Sequence, residues 1–141
     1  MRKILFVVSE AYPLMKTGGL GDASAGLAQA LAVLGDDVRI LMPGYHDSLK
    51  LAGVLKTVAE IAVPAAGPMR LLESMLPGTR IKTWLIDFPP AFDRPGNPYQ
   101  NARGQDWPDN AERFALLARV AVAISNGIPS LRWKPDIVHC H

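Results

Sequence analysis

The chain opens on an unbroken apolar run, Ile4-Leu5-Phe6-Val7-Val8, set between Arg2-Lys3 and Ser9-Glu10. Consecutive apolar residues with no polar alternation are the pattern of a strand covered on both faces, as in a parallel sheet. From Leu20 to Leu34 the period changes. Leu20, Ala23, Leu27, Ala30, Leu31 and Leu34 fall on one helical stripe, and Gly35 stands where such a helix stops. Val38 to Met42 is a second apolar run, closed by Pro43-Gly44. Strand, helix and strand in succession make a βαβ unit, whose crossover is right-handed.

The middle of the chain is less regular. Val54 to Val63 is expected to be a strand, and Met69 to Leu76 and Ile81 to Phe88 flank Pro77-Gly78-Thr79-Arg80 as the arms of a hairpin. Pro89 to Pro108 is a long loop rich in Pro, Gly and Asn. Loops of that length inside compact domains are usually functional or disordered. Asp109 then begins a helix, with Glu112 completing a capping box and Phe114, Leu117, Ala121 and Ile124 as its apolar stripe. Asn126-Gly127 ends it and Pro129 follows; Ile137 and Val138 belong to a last short strand.

These elements predict an α/β fold: a single three-layer, Rossmann-like domain over residues 1–141 with a mainly parallel sheet. Ile4–Val8 is expected at its centre, flanked by Val38–Met42 and Ile137–His139. Ligand sites in such sheets lie beyond the carboxyl ends of the strands. The last strand runs to the end of the sequence, so the expectation is the front part of a longer protein, interrupted where a binding loop would begin.

Composition narrows the functional classes. Hydrophobic residues make up 49% of the 141, enough for a sizeable core. Fifteen basic and 13 acidic residues leave a net charge of +2, too small a field to point to nucleic acid or an anionic membrane. Cys140 is the only cysteine, which rules out an intrachain disulfide and suits a reducing, cytoplasmic setting. The first apolar run is too short for a signal peptide, and no stretch is long enough to span a bilayer.

The candidate chemistry starts at Lys16-Thr17-Gly18-Gly19-Leu20-Gly21-Asp22. A strand, a glycine-rich bend and a helix N-terminus make a ready anion site, because free amides and the helix dipole both favour negative charge. Lys16 adds a full positive charge, and Gly18 and Gly19 permit close backbone approach and positive φ. The segment is not a Walker loop, in which Lys and Ser/Thr follow the last glycine. Nor is it a dinucleotide fingerprint, since Ser24 stands where glycine or alanine is needed and no acidic residue closes the second strand. The glycines taken alone serve a plain turn equally well.

The wider segment, Val8-Ser9-Glu10-Ala11-Tyr12-Pro13-Leu14-Met15 followed by that loop, resembles the start of bacterial glycogen synthases and plant starch synthases. So do Asp93-Arg94-Pro95-Gly96-Asn97-Pro98-Tyr99 with Asp109-Asn110-Ala111-Glu112-Arg113-Phe114-Ala115, and Trp133-Lys134-Pro135-Asp136-Ile137-Val138-His139-Cys140-His141. Three ordered blocks across nearly the whole chain make the resemblance specific. It implies the N-terminal half of a GT-B glycosyltransferase that moves glucose from ADP-glucose to an α-1,4-glucan, without a cofactor. Donor-base choice rests largely with a second domain, so UDP-glucose stays open. The resemblance also implies that Lys16 contacts the donor and that Asp22 lies near the acceptor. It further implies that Tyr99 meets sugar and that His141 begins a His-Asp-Trp motif at the donor cleft.

Bland roles stand beside these: a solvated lysine, a dipole-complementing Asp22, and loop aromatics that anchor their own segment, the role expected of Trp107. His139 and His141 flank Cys140, but strand alternation turns Cys140 to the opposite face, so no three-ligand metal site is expected. Nothing in the sequence fixes Glu10 and Asp22 across a scissile bond, and no Ser-His-Asp or HExxH signature occurs. A non-catalytic glucan- or phosphate-binding module is the alternative.

Overall fold

The computed structural model describes residues 1–141. Strand β1 (Lys3–Val7) leads through helix α1 (Gly19–Val33) to β2 (Asp37–Pro43), and a short α2 (His46–Leu51) precedes β3 (Lys56–Val63) and β4 (Gly67–Met75). Then come β5 (Lys82–Asp87), the single turn α3 (Pro89–Phe92), α4 (Asn110–Asn126), a 3-10 turn (Pro129–Leu131) and β6 (Ile137–Cys140). All strands join one sheet in the order β3-β4-β5-β2-β1-β6. Pairings among β5, β2, β1 and β6 are parallel; β4 and β5 form the expected hairpin, and β3 adds to it antiparallel at the edge, a pairing the sequence had not indicated.

The layers follow from strand order and handedness. The chain moves one way along the sheet from β1 to β2, and the other way from β5 across to β6. Two right-handed crossovers in opposite directions put α1 and α4 on opposite faces. Leu5, Phe6, Ile40, Leu41, Met42, Trp84 and Leu85 are fully buried between them, as doubly covered strands require. Strand β1 is flanked by β2 and β6 as expected, but it lies one strand from the β6 edge and not at the middle of the sheet.

Helix α1 has the expected period with a different phase. Its buried residues are Gly21, Ser24, Ala25 and Ala28, while Leu27 is 37% and Leu34 76% exposed. The cause is close approach. Ser24 Oγ donates to the Glu10 carbonyl at 2.6 Å, and a Cβ on Gly21 would come within 2.9 Å of the Met15 carbonyl oxygen. Only small side chains fit against that backbone. Gly35 ends the helix region with φ +96°, a conformation glycine adopts freely.

Helix α4 buries Arg113, Leu116, Leu117, Val120, Ala121 and Ile124. Phe114 is half-buried, off the expected stripe. The capping box is absent, because the Asp109 carboxylate is taken by Arg94 through two bonds of 2.7 and 2.6 Å. Such a bidentate, charge-assisted pair outcompetes a single backbone amide. The stretch 89–108 is also more ordered than a plain loop. Buried Arg113 donates to the carbonyls of Ala91 at 2.6 Å and Pro98 at 2.9 Å and to Asn110 Oδ1 at 2.8 Å. Trp107 anchors the segment, its amide on the Tyr99 carbonyl and its ring 4.9 Å from the Arg94 guanidinium. No helix is long and apolar enough to cross a membrane.

Two glycines of α1 provide a test of this packing. Gly21→Ala should lower stability in urea unfolding by roughly 1–3 kcal/mol, since the added methyl meets backbone that cannot retreat. Gly26 is exposed, with nothing within 4 Å of an added Cβ. Gly26→Ala should raise stability by about 0.5–1 kcal/mol.

Candidate functional site

The sequence turns away from β1 in one direction through α1 and returns on its other side as β6, so a crevice opens beyond the carboxyl ends of β1 and β6. This is where open α/β sheets bind ligands. Four strand ends deliver side chains to that edge: Ser9 and Glu10 after β1, Tyr45 after β2, the Tyr99 segment after β5, and His141 after β6.

Glu10 lies at the centre and is 2% exposed. Its Oε1 accepts the Thr17 amide at 2.6 Å, and the Thr17 hydroxyl bonds both carboxylate oxygens at 3.0 and 2.9 Å. The Tyr99 hydroxyl donates to Oε2 and accepts from Ser9 Oγ at 2.8 Å. Burial, and then the bond to Glu10, push the Tyr99 hydroxyl up to about 12. The Tyr45 hydroxyl donates to the Ser9 carbonyl at 2.9 Å, and burial raises it well above its ordinary value.

Above this layer lies the glycine loop. Gly18 is the N-cap of α1 and offers no side-chain cap. The amides of Gly18, Gly19 and Leu20 find no acceptor within the chain. Gly18 is extended, with φ −163°, and Gly19 is helical, so neither has the positive φ expected for them. A Cβ on either would meet nothing within 4 Å. Tight approach is needed at Gly21 alone among the three, so Gly18 and Gly19 keep open space over free amides. Lys16 Nζ bonds Asp22 Oδ2 at 2.5 Å, with the two side chains 46% and 53% exposed. That bond raises the Lys16 ammonium above its ordinary value.

The structure therefore joins Lys16 to Asp22, and joins Tyr99 to the loop through Glu10. The Tyr99 hydroxyl is occupied by protein partners; its ring lies 5.7 Å from that of Phe114. Both rings border an apolar groove of about 840 Å³, which His141 and Cys140 close at the β6 end. His139 and His141 stack on Phe6 at 4.7 and 5.1 Å, with their Nε2 atoms 2.7 Å apart. Cys140 points away from them, as strand alternation requires. Two residues central to the site went unread in the sequence. A signal for Glu10 existed: a carboxylate two positions past a doubly buried strand emerges at the ligand edge. Arg113 gave none, because an arginine at a helix start reads as solvated.

A parallel-sheet crevice with a lysine-led, uncapped helix N-terminus is an arrangement that favours an anionic group. The chain belongs to the family described as the starch synthase catalytic domain, which matches residues 3–141. It is 54% identical over 140 residues to glycogen synthase 1 of Methylococcus capsulatus, covering 99% of this chain and 28% of that protein. It is 50% identical over 143 residues to glycogen synthase of Cellvibrio japonicus, covering 100% of this chain and 30% of that one. Among solved structures it matches the catalytic domain of starch synthase IV from Arabidopsis thaliana bound to ADP and acarbose. That match has a TM-score of 0.75 and 26% identity, and covers 99% of this chain and 28% of that one. The chain thus spans less than a third of the length of these relatives.

The Tyr99 hydroxyl carries a pH signature. It titrates at 10.0 when unperturbed and at about 12 in the fold. Because the folded value is the higher, its contribution is complete below the lower value and is lost as pH rises towards the upper one. The urea midpoint of the unaltered chain should therefore fall more steeply than that of Tyr99→Phe between pH 10.0 and about 12. Below that window the two curves should run parallel.

Proposed function

We propose that this chain is the N-terminal, donor-phosphate-binding part of a retaining glucosyltransferase. The complete enzyme transfers glucose from ADP-glucose to the non-reducing end of an α-1,4-glucan in the cytoplasm. The observation that carries this reading is the uncapped start of α1, where three free amides stand beside the Lys16 ammonium. The family membership supports it, and so does the Arabidopsis relative, whose structure is bound to ADP and acarbose.

The chemistry follows from where charge develops. As the glycosidic bond breaks, negative charge accumulates on the leaving diphosphate. A fixed ammonium and preorganised amides stabilise that charge without reorganising. In the unliganded chain Lys16 is held by Asp22, and an exposed pair of this kind is weak and screened. An incoming diphosphate takes the ammonium, and the released Asp22 carboxylate is then free to accept hydroxyl bonds from the glucan. Tyr99 and His141 border the crevice on its β6 side, where they meet the sugar. A second domain completes the cleft in the GT-B arrangement and selects the donor base.

Two measurements test this. Titrating ADP-glucose into the labelled chain should shift the Gly18, Gly19 and Leu20 amide resonances, and Lys16→Ala should abolish those shifts. In the complete enzyme, Lys16→Ala should cut ADP release by about two orders of magnitude, with Lys16→Arg restoring part of it. Near-normal rates in Lys16→Ala would make the lysine a surface residue. Amide shifts without turnover in the complete protein would make it a binding module.

A further inference from the structure

We propose that Glu10 is a positioning residue, locking the Lys16–Gly19 loop to the Tyr99 segment so that both walls of the crevice keep one geometry. This rests on the donor-site reading above and adds a role that the free amides and Lys16 do not explain.

Glu10 is almost fully buried, yet no ion pair of the chain involves it. A buried carboxylate without a cation is costly unless its oxygens are satisfied by donors, and an apolar residue of similar size fills such a space at less cost. Here the donors come from two distant parts of the chain, seven and 89 residues further on. Thr17 supplies an amide and a hydroxyl, and Tyr99 supplies a hydroxyl.

The position of the bond matters as much as its strength. Thr17 directly precedes the amides of Gly18, Gly19 and Leu20, which have no acceptor in the chain. Fixing its N–H on the buried carboxylate commits that amide inward and leaves those of Gly18, Gly19 and Leu20 for a guest. The Glu10 main chain is held too, since its carbonyl accepts from Ser24 in the first turns of α1. The tether to Tyr99 sets the rotamer of the carboxylate. Without it, the carboxylate can turn towards water and release the Thr17 amide.

The test is amide hydrogen exchange on the 141-residue chain, combined with affinity for ADP, which lacks the transferred sugar that Tyr99 meets, measured well below the melting transition. Tyr99→Phe changes no atom of the Lys16–Gly19 loop. It should nevertheless speed exchange of the Thr17 amide by about tenfold and weaken ADP binding several-fold, the effect of losing a hydrogen bond to a charged group. Thr17→Ser keeps both donors and should behave like the unaltered chain, whereas Glu10→Ala should reproduce the Tyr99→Phe effects in larger measure if it folds. An acceleration below about threefold in Tyr99→Phe overturns the lock, because opening of the two segments is then independent. Faster exchange with unchanged affinity overturns the positioning role. If the unaltered chain binds no ADP at all, the donor-site reading fails, and the exchange result still decides whether the two segments are locked.

Discussion

Everything in this domain depends on β1 being covered on both faces and paired in parallel on both edges. A strand in that position has no solvent-facing side, which is why its sequence is apolar without alternation. It also fixes direction. With β2 on one side and β6 on the other, all three run the same way, so the segments that follow them emerge at one edge of the sheet. The handedness of the two crossovers then separates α1 from α4 and leaves a crevice between their ends. The site is a consequence of sheet topology before any of its side chains is considered.

The electrostatics of that crevice are divided by depth. Glu10 is buried and its oxygens are satisfied by hydrogen bonds alone, whereas Lys16 and Asp22 pair in the open. Depth decides what each can do. The exposed pair is screened and exchangeable, so an anion can displace Asp22 from Lys16 at little cost. The buried carboxylate cannot be relieved by solvent and must keep its donors, which makes it a fixed point. A diphosphate approaching this edge would meet two carboxylates as well as one ammonium. Binding is therefore expected to need the free amides, whose partial charges are fixed in direction and close at hand.

What could be read from the sequence was whatever one residue type decides locally. The continuous apolar runs gave β1 and β2, Pro77-Gly78 gave the β4–β5 hairpin, and Gly127 gave the end of α4. What could not be read depended on neighbours distant in sequence. The phase of α1 is set by the backbone at residues 10–16, against which leucines do not fit but Gly21 and Ser24 do. The Asp109 cap was lost to Arg94, and the stretch 89–108 became ordered through Arg113, in both cases by contacts across a loop. Within the candidate site, the glycine loop and Lys16 stood out in the sequence, and they lie together at the uncapped start of α1. The position of Glu10 at that edge could have been read from the strand before it, but its dependence on a tyrosine 89 residues away leaves no local pattern.

The placement of Tyr99 shows how such a site inherits its precision from the core. Tyr99 lies on an irregular segment, which by itself would be the softest part of the domain. Arg113 holds the carbonyl of the preceding residue, Pro98, and Arg113 belongs to the first turn of α4. Helix α4 is in turn fixed by Leu117, Val120, Ala121 and Ile124 against the sheet. At its other end Tyr99 bonds Ser9 and Glu10, which follow directly from β1. The tyrosine is thus held between two rigid elements on opposite sides of the crevice. A mobile loop tip has been replaced by a strut whose position is set by hydrophobic packing far from the ligand edge.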